Sequence, residues 1–203
     1  MIKRIIFDID GTLITGVDFL PYISNALKRY GIADLKKTEQ FLLNIKEYEK
    51  RYKCYDRDLY LNFFSEKLGI KLNYDFLEIF FQELQKAIPK NSEKIKEILS
   101  KLSNYDLVLL SNYFEESQRN RLTAMGINDY FSEYYGEKII KPHKLAYISA
   151  KGIYKPSECL IIGDDKKLDI VVPNSLGFKT IHINENSYIK TVEDLSLNLI
   201  KKL

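Results

Sequence analysis

Residues 4–12 read RIIFDIDGT, and this stretch decides the fold. The run Ile5-Ile6-Phe7 is continuously apolar rather than alternating, as in a strand covered on both faces. It ends directly in Asp8 and Asp10, followed by Gly11-Thr12. Side chains two apart on an extended strand point the same way, so Asp8 and Asp10 can serve one site.

Two further runs have the same form: DLVLLSN at 106–112 and CLIIGDD at 159–165. KTIHIN at 179–184 is a fourth strand and residues 134–139 a weaker one. Helical patterns separate them, ending at Gly126 and Gly152. In the tail, Val192, Leu195 and Leu199 have the spacing of a single helix. Strand–helix repetition predicts an α/β fold, a doubly wound parallel sheet.

Residues 14 to about 90 hold helical stripes instead, among them Phe19-Tyr22-Ile23-Ala26-Leu27-Tyr30, Phe41-Ile45-Tyr48-Tyr52 and Leu77-Phe80-Phe81-Leu84-Ile88. The chain returns to the core through a helix with Ile95, Ile98, Leu99 and Leu102 on one face. This assigns residues 1–15 and 89–203 to the core and 16–88 to an inserted α-helical cap domain. Residues 13–16 and 87–90 are the candidate hinges.

Composition narrows the function. The 203 residues carry a net charge of +3, with lysines interleaved among acids, which is no nucleic-acid stripe. No apolar stretch reaches the ~20 residues of a membrane span, and the N-terminus lacks a signal-peptide pattern. Cys54 and Cys159 fall in no metal or redox motif, as in a reducing compartment. The expectation is a cytoplasmic monomer with no membrane or nucleic-acid partner.

In open α/β sheets, sites form outside the carboxyl ends of the strands. Here those ends carry Asp8/Asp10, Ser111/Asn112 and Asp164/Asp165. Converging carboxylates repel, and Mg²⁺, which takes a few carboxylates, waters and a phosphate, relieves that; Asp8 and Asp164 are its ligands. A carboxylate can also act as a nucleophile and form an aspartyl-phosphate, provided positive charge and N–H groups surround the phosphate. Lys141, before Pro142, supplies the charge, and Ser111 and Asn112 supply donors. Asp10 can protonate the leaving oxygen and then deprotonate water. Gly11 and Thr12 permit the turn that aims Asp10 inward, and complete the phosphate-binding set with Ser111, Asn112 and Lys141.

Four segments in order, DIDGT at 8–12, LLSN at 109–112, KP at 141–142 and GDDKKLD at 163–169, resemble the motifs of the haloacid dehalogenase-like (HAD) superfamily. The insert resembles the helical cap of its first cap class, on a Rossmann-like core. The resemblance implies Asp8 as nucleophile and Mg²⁺ ligand, and Asp10 as general acid/base with its backbone carbonyl on the metal. It implies Ser111 and Lys141 on the phosphate, Asp164 as metal ligand, and Asp165 and Asp169 in support. The dehalogenase branch lacks an aspartate at the position of Asp10, so the chain follows the phosphatase and phosphomutase pattern. One departure is IVVPNSLG after Asp169, where the family often has small residues.

Other readings remain open at this point. A calcium loop beginning at Asp8 fails, because Leu13 and Phe19 stand where Gly and Glu are required. Asp165 and Asp169 can instead cap the next helix. Arg51, Lys53 and Arg57 in KRYKCYDR, residues 50–57, either reach an anionic substrate or belong to a solvated loop. His143 and His182 are assigned no role. The main expectation is a Mg²⁺-dependent phosphatase acting on a small phosphorylated metabolite. A phosphomutase with the same intermediate and a non-catalytic metabolite-binding protein are the alternatives.

Overall fold

The structure is a computed structural model that describes residues 1–89, 92–186 and 189–203. β1 (Arg4–Phe7), β2 (Asp106–Leu110), β3 (Glu133–Tyr135), β4 (Cys159–Gly163) and β5 (Lys179–His182) form one sheet in the order β3-β2-β1-β4-β5. Every pairing is parallel, with Ile6 opposite Val108 on one side and Ile161 on the other.

The unbroken apolar runs follow from burial of both sheet faces. Ile5, Phe7, Leu107, Leu109, Leu160 and Ile162 point to one side. There they meet Ile95 and Leu99 of α5 (Ser92–Lys101) and Leu122 of α6 (Glu115–Ala124). Ile6, Val108, Leu110 and Ile161 point to the other, against Ala146, Tyr147 and Ala150 of α7 (Lys144–Ala150). At the end of the sheet away from the aspartates, buried Arg4 ties three strands together. It bonds Asp106 at 2.8 Å, Glu133 at 3.0 Å and the Ala150 carbonyl at 2.8 Å.

The insert is helical, as α1 (Leu20–Arg29), α2 (Leu35–Tyr52), α3 (Arg57–Leu68) and α4 (Tyr74–Leu84). Asp34, Asp56 and Asn73 accept backbone N–H bonds at the starts of α2, α3 and α4. The aromatic stripes converge on Phe41, whose ring lies 4.2 Å from that of Phe64 and 5.1 Å from that of Phe80. Phe41→Ala should therefore cost about 3–5 kcal/mol, read from the denaturant midpoint.

Several expectations are corrected. α4 stops at Leu84, so Ile88 packs instead against the sheet-side core. The tail is not one helix: a 3₁₀ turn at Val192–Asp194 precedes α9 (Leu197–Lys201). Asp194 accepts from the Thr191 N–H, and Ser196 caps α9, which interrupts the helix between them. The weak strand at 134–139 shortens to Glu133–Tyr135. After Asp165 the chain forms a π-helix, Lys166–Val171, and Pro173 falls in α8 (Val172–Ser175), which continues directly from the π-helix. Of the candidate hinges, Leu13 and Ile14 are buried in the core, and Lys90 lies outside the described residues.

The insert rests on the core through the segment joining α2 and α3. The Tyr55 N–H donates to the Glu137 carbonyl at 2.7 Å, and the Ile140 N–H to the Lys53 carbonyl at 3.3 Å. Arg57 pairs with Glu116 of α6. Phe114, just beyond Asn112, inserts among Tyr55, Tyr60 and Phe81, with ring centroids 5.1–5.3 Å away.

Candidate active site

β1 and β4 end side by side, so Asp8 and Asp164 emerge next to each other; the Asp8 N–H donates to the Ile162 carbonyl at 2.9 Å. Carboxylate oxygens of Asp8, Asp164 and Asp169 all lie within 4.8 Å of one another. Gly11, at φ +80°, passes against this cluster: a Cβ there would meet Asp164 Oδ2 at 2.2 Å, so glycine is required for closeness as well as conformation. Gly163 makes room in the same way, since a Cβ would meet the Asp169 carboxyl at 2.3 Å.

Lys141 is buried in this cluster, with Nζ 2.7 Å from Asp169 Oδ1 and 3.1 Å from Asp8 Oδ1. Burial opposes its charge, but Asp8 and Asp169 outweigh that and raise its pKa. Burial pushes the Asp8 carboxyl up to about 7; Lys141 pulls against this, while Asp169, Asp164 and Asp10 add to it. Asp164 is raised as well, by burial and then by Asp169. The cluster holds more negative charge than Lys141 neutralises. Asp8 and Asp164 thus fit a hard dication, with Asp169 engaged by the lysine.

Asp10 lies to one side. Its Oδ1 accepts from Arg121 Nη1 at 2.7 Å and its Oδ2 from Gln118 Nε2 at 2.8 Å. The same Gln118 nitrogen is 3.3 Å from Ser111 Oγ, so one amide joins the ends of the first and second motifs. Thr12 Oγ1 faces Asp164 Oδ1 at 3.5 Å.

Asn112 and Asp165 bond backbone groups, and for Asp165 this is the capping alternative read from the sequence. Asn112 spends its side chain on the backbone of Lys141, accepting from the N–H at 2.8 Å and donating to the carbonyl at 3.0 Å. It positions the lysine. The Asp165 carboxylate is exposed and accepts from the Lys167 and Leu168 N–H groups at 2.8 Å, the capping role, while its backbone N–H donates to Asp169 Oδ2 at 3.1 Å. Of the two histidines, His143 accepts from the Leu145 N–H, and a ring nitrogen of His182 meets the Asp164 carbonyl at 2.8 Å.

Three residues were missed. Gln118 and Arg121 sit in EESQRNRL, which reads as a solvated helix face, yet both are buried. Arg121 also donates to the Ala87 carbonyl at 3.1 Å and stacks over the Phe19 ring at 4.9 Å. It therefore touches both crossings between core and insert. The third is Glu49 of α2, which takes a bond from Tyr55 Oη at 2.8 Å. Burial raises its pKa against the pull of Tyr55, Asn112 and Lys141.

The sequence pattern of the haloacid dehalogenase-like hydrolases matches residues 2–177. The chain belongs to that family. As an HAD-like hydrolase, it shares its fold with solved relatives of differing chemistry. An L-2-haloacid dehalogenase from Xanthobacter autotrophicus is 18% identical with a TM-score of 0.67, over 93% of this chain and 80% of that one. A HAD phosphatase from Thermococcus onnurineus is 25% identical with a TM-score of 0.63, over 98% of each chain. The HAD-hydrolase YfnB from Bacillus subtilis, solved bound to magnesium, is 19% identical with a TM-score of 0.67, over 93% and 91%. No curated protein sequence gives a significant match. Among the described residues, no helix is long and apolar enough to cross a membrane.

Proposed function

We propose that this hydrolase is a Mg²⁺-dependent phosphatase of small phosphorylated metabolites, working through an aspartyl-phosphate on Asp8. One observation carries the reading. Asp10 accompanies Asp8 and is held by Gln118 and Arg121 beside Ser111, giving a nucleophile and a proton carrier at one strand end. The dehalogenase pattern has no aspartate there.

In the first step an Asp8 oxygen attacks phosphorus, the P–O bond to the leaving group breaks, and Asp10 donates its proton to the departing oxygen. In the second step Asp10 takes a proton from water as that water attacks phosphorus. The bond to Asp8 then breaks and phosphate leaves. Lys141 and the Ser111 hydroxyl stabilise charge on the phosphoryl oxygens. Mg²⁺, held by Asp8, Asp164 and the Asp10 backbone carbonyl, would add charge neutralisation at the same oxygens. Residues 16–88 serve as the cap, which shields the intermediate from solvent.

The test is phosphate release from a panel of sugar phosphates, nucleotides and phosphorylated acids. Activity is expected with Mg²⁺ and should be lost in EDTA. Equal release in EDTA contradicts the metal's part. Saturable binding with no release under Mg²⁺ contradicts the phosphatase.

A further inference from the structure

Beside the carboxylate cluster, a cavity of about 640 Å³ opens between α2, the loop at 140–143 and the start of the π-helix at 165–168, with Lys141 and Asn112 in its wall. That volume suits a small-molecule ligand. Its charged lining is unusual. Lys46 and Lys50 stand one turn apart on α2, Lys53 ends that helix in a left-handed conformation at φ 57°, and Lys167 faces them from the core. Among the described residues, none of these four ammonium groups has a carboxylate within ion-pair distance.

The acids in the same wall are already engaged. Glu49 takes the Tyr55 hydroxyl, and Asp165 takes the two N–H groups of its own turn. A like-charge pair one turn apart weakens a helix slightly. Lys50 complements the C-terminal end of α2 and Lys46 pulls the Glu49 carboxyl down, but Lys167 has no such role. Lysines focused in a cleft raise the local concentration of anions. In the phosphatase reading Lys141 and Ser111 serve the transferring phosphoryl group, and Lys141, which lines this cavity and pairs with Asp8, joins the cavity to that site.

We propose that this cavity selects phosphate monoesters whose leaving group carries a second anionic group, a carboxylate or another phosphate. The proposal rests on the phosphatase reading, and its test separates the two. The probes are matched pairs: glycerol 3-phosphate against 3-phosphoglycerate, and fructose 6-phosphate against fructose 1,6-bisphosphate. The expected result is a kcat/KM roughly tenfold or more higher for the doubly anionic member of each pair. That ratio should fall several-fold in Lys50→Gln and Lys53→Gln, further in the double variant, and with rising salt. The readout is a ratio within one variant, so a partial loss of folded protein cancels. Equal kcat/KM within each pair overturns the proposal and leaves the phosphatase standing, as does a preference untouched by the substitutions. If no probe releases phosphate, the phosphatase reading fails, and calorimetry of 3-phosphoglycerate against glycerol 3-phosphate decides the cavity's preference by itself. Tighter binding of the former, lost in the double variant, supports it; equal binding overturns it.

Discussion

Asp8→Asn is expected to lower phosphate release about 10⁴-fold or more while leaving the fold intact. Asparagine has the same shape but is not nucleophilic. The substitution also removes a buried charge that the site holds at a cost. Burial and the surrounding acids raise the Asp8 carboxyl above its ordinary range, so its ionised form opposes folding at neutral pH. A neutral amide there relieves that repulsion. Lys141 keeps Asp169 at 2.7 Å as its partner, so it is not left unpaired. The denaturant midpoint should therefore stay level or rise as kcat collapses. Undiminished activity in a variant free of wild-type protein contradicts the nucleophile.

The second large effect is expected at Arg121. Its guanidinium is buried and bonds Asp10, Gln118 and the Ala87 carbonyl, so it fixes the carboxyl that carries the proton in the proposed mechanism. Arg121→Met removes its bonds to Asp10, to Gln118 Oε1 and to the Ala87 carbonyl. Asp10 remains partly exposed and hydrated, so the variant can fold, but its carboxyl loses its aim. General acid–base catalysis contributes roughly 10²–10⁴-fold, and a fall in kcat of about 10²-fold with a smaller change in KM is expected. Arg121→Lys keeps the charge without the planar fork and should recover part of the rate. Thermal melts of both variants separate positioning from unfolding. A folded Arg121→Met enzyme with normal kcat contradicts the positioning role.

These two predictions differ in how far the sequence reveals them. Asp8 is legible because an apolar run that ends in carboxylates is locally unusual, and because the other strand ends repeat the form. The central strands were legible for a related reason: with both faces covered, residues 5–7, 107–110 and 159–162 are apolar whichever side they point to. Arg121 and Gln118 give no such signal. A polar helix segment reads as solvated, and only contacts with Asp10, Ser111, Ala87 and Phe19 reveal that these two are buried. Glu49 is hidden in the same way among the charges of α2. Asn112 and Asp165 were visible as polar residues at strand ends. The partner of Asn112 is the backbone of Lys141, which only the folded chain brings within reach, whereas Asp165 bonds residues 167–168 as the local cap its sequence position allows. The tail divides at Ser196 because local caps outcompete a helical period that Val192, Leu195 and Leu199 do carry.

The most direct test of the account is to trap the intermediate. The enzyme is mixed with its best panel substrate and Mg²⁺, quenched in acid during the first turnover, and reduced with borohydride. The peptide containing residues 8 and 10 is then read by mass spectrometry. The expected result is reduction of Asp8 to homoserine, with Asp10 unchanged and no product in Asp8→Asn. Phosphate release during that turnover with Asp8 unmodified, or with the modification on another residue, would contradict the covalent mechanism.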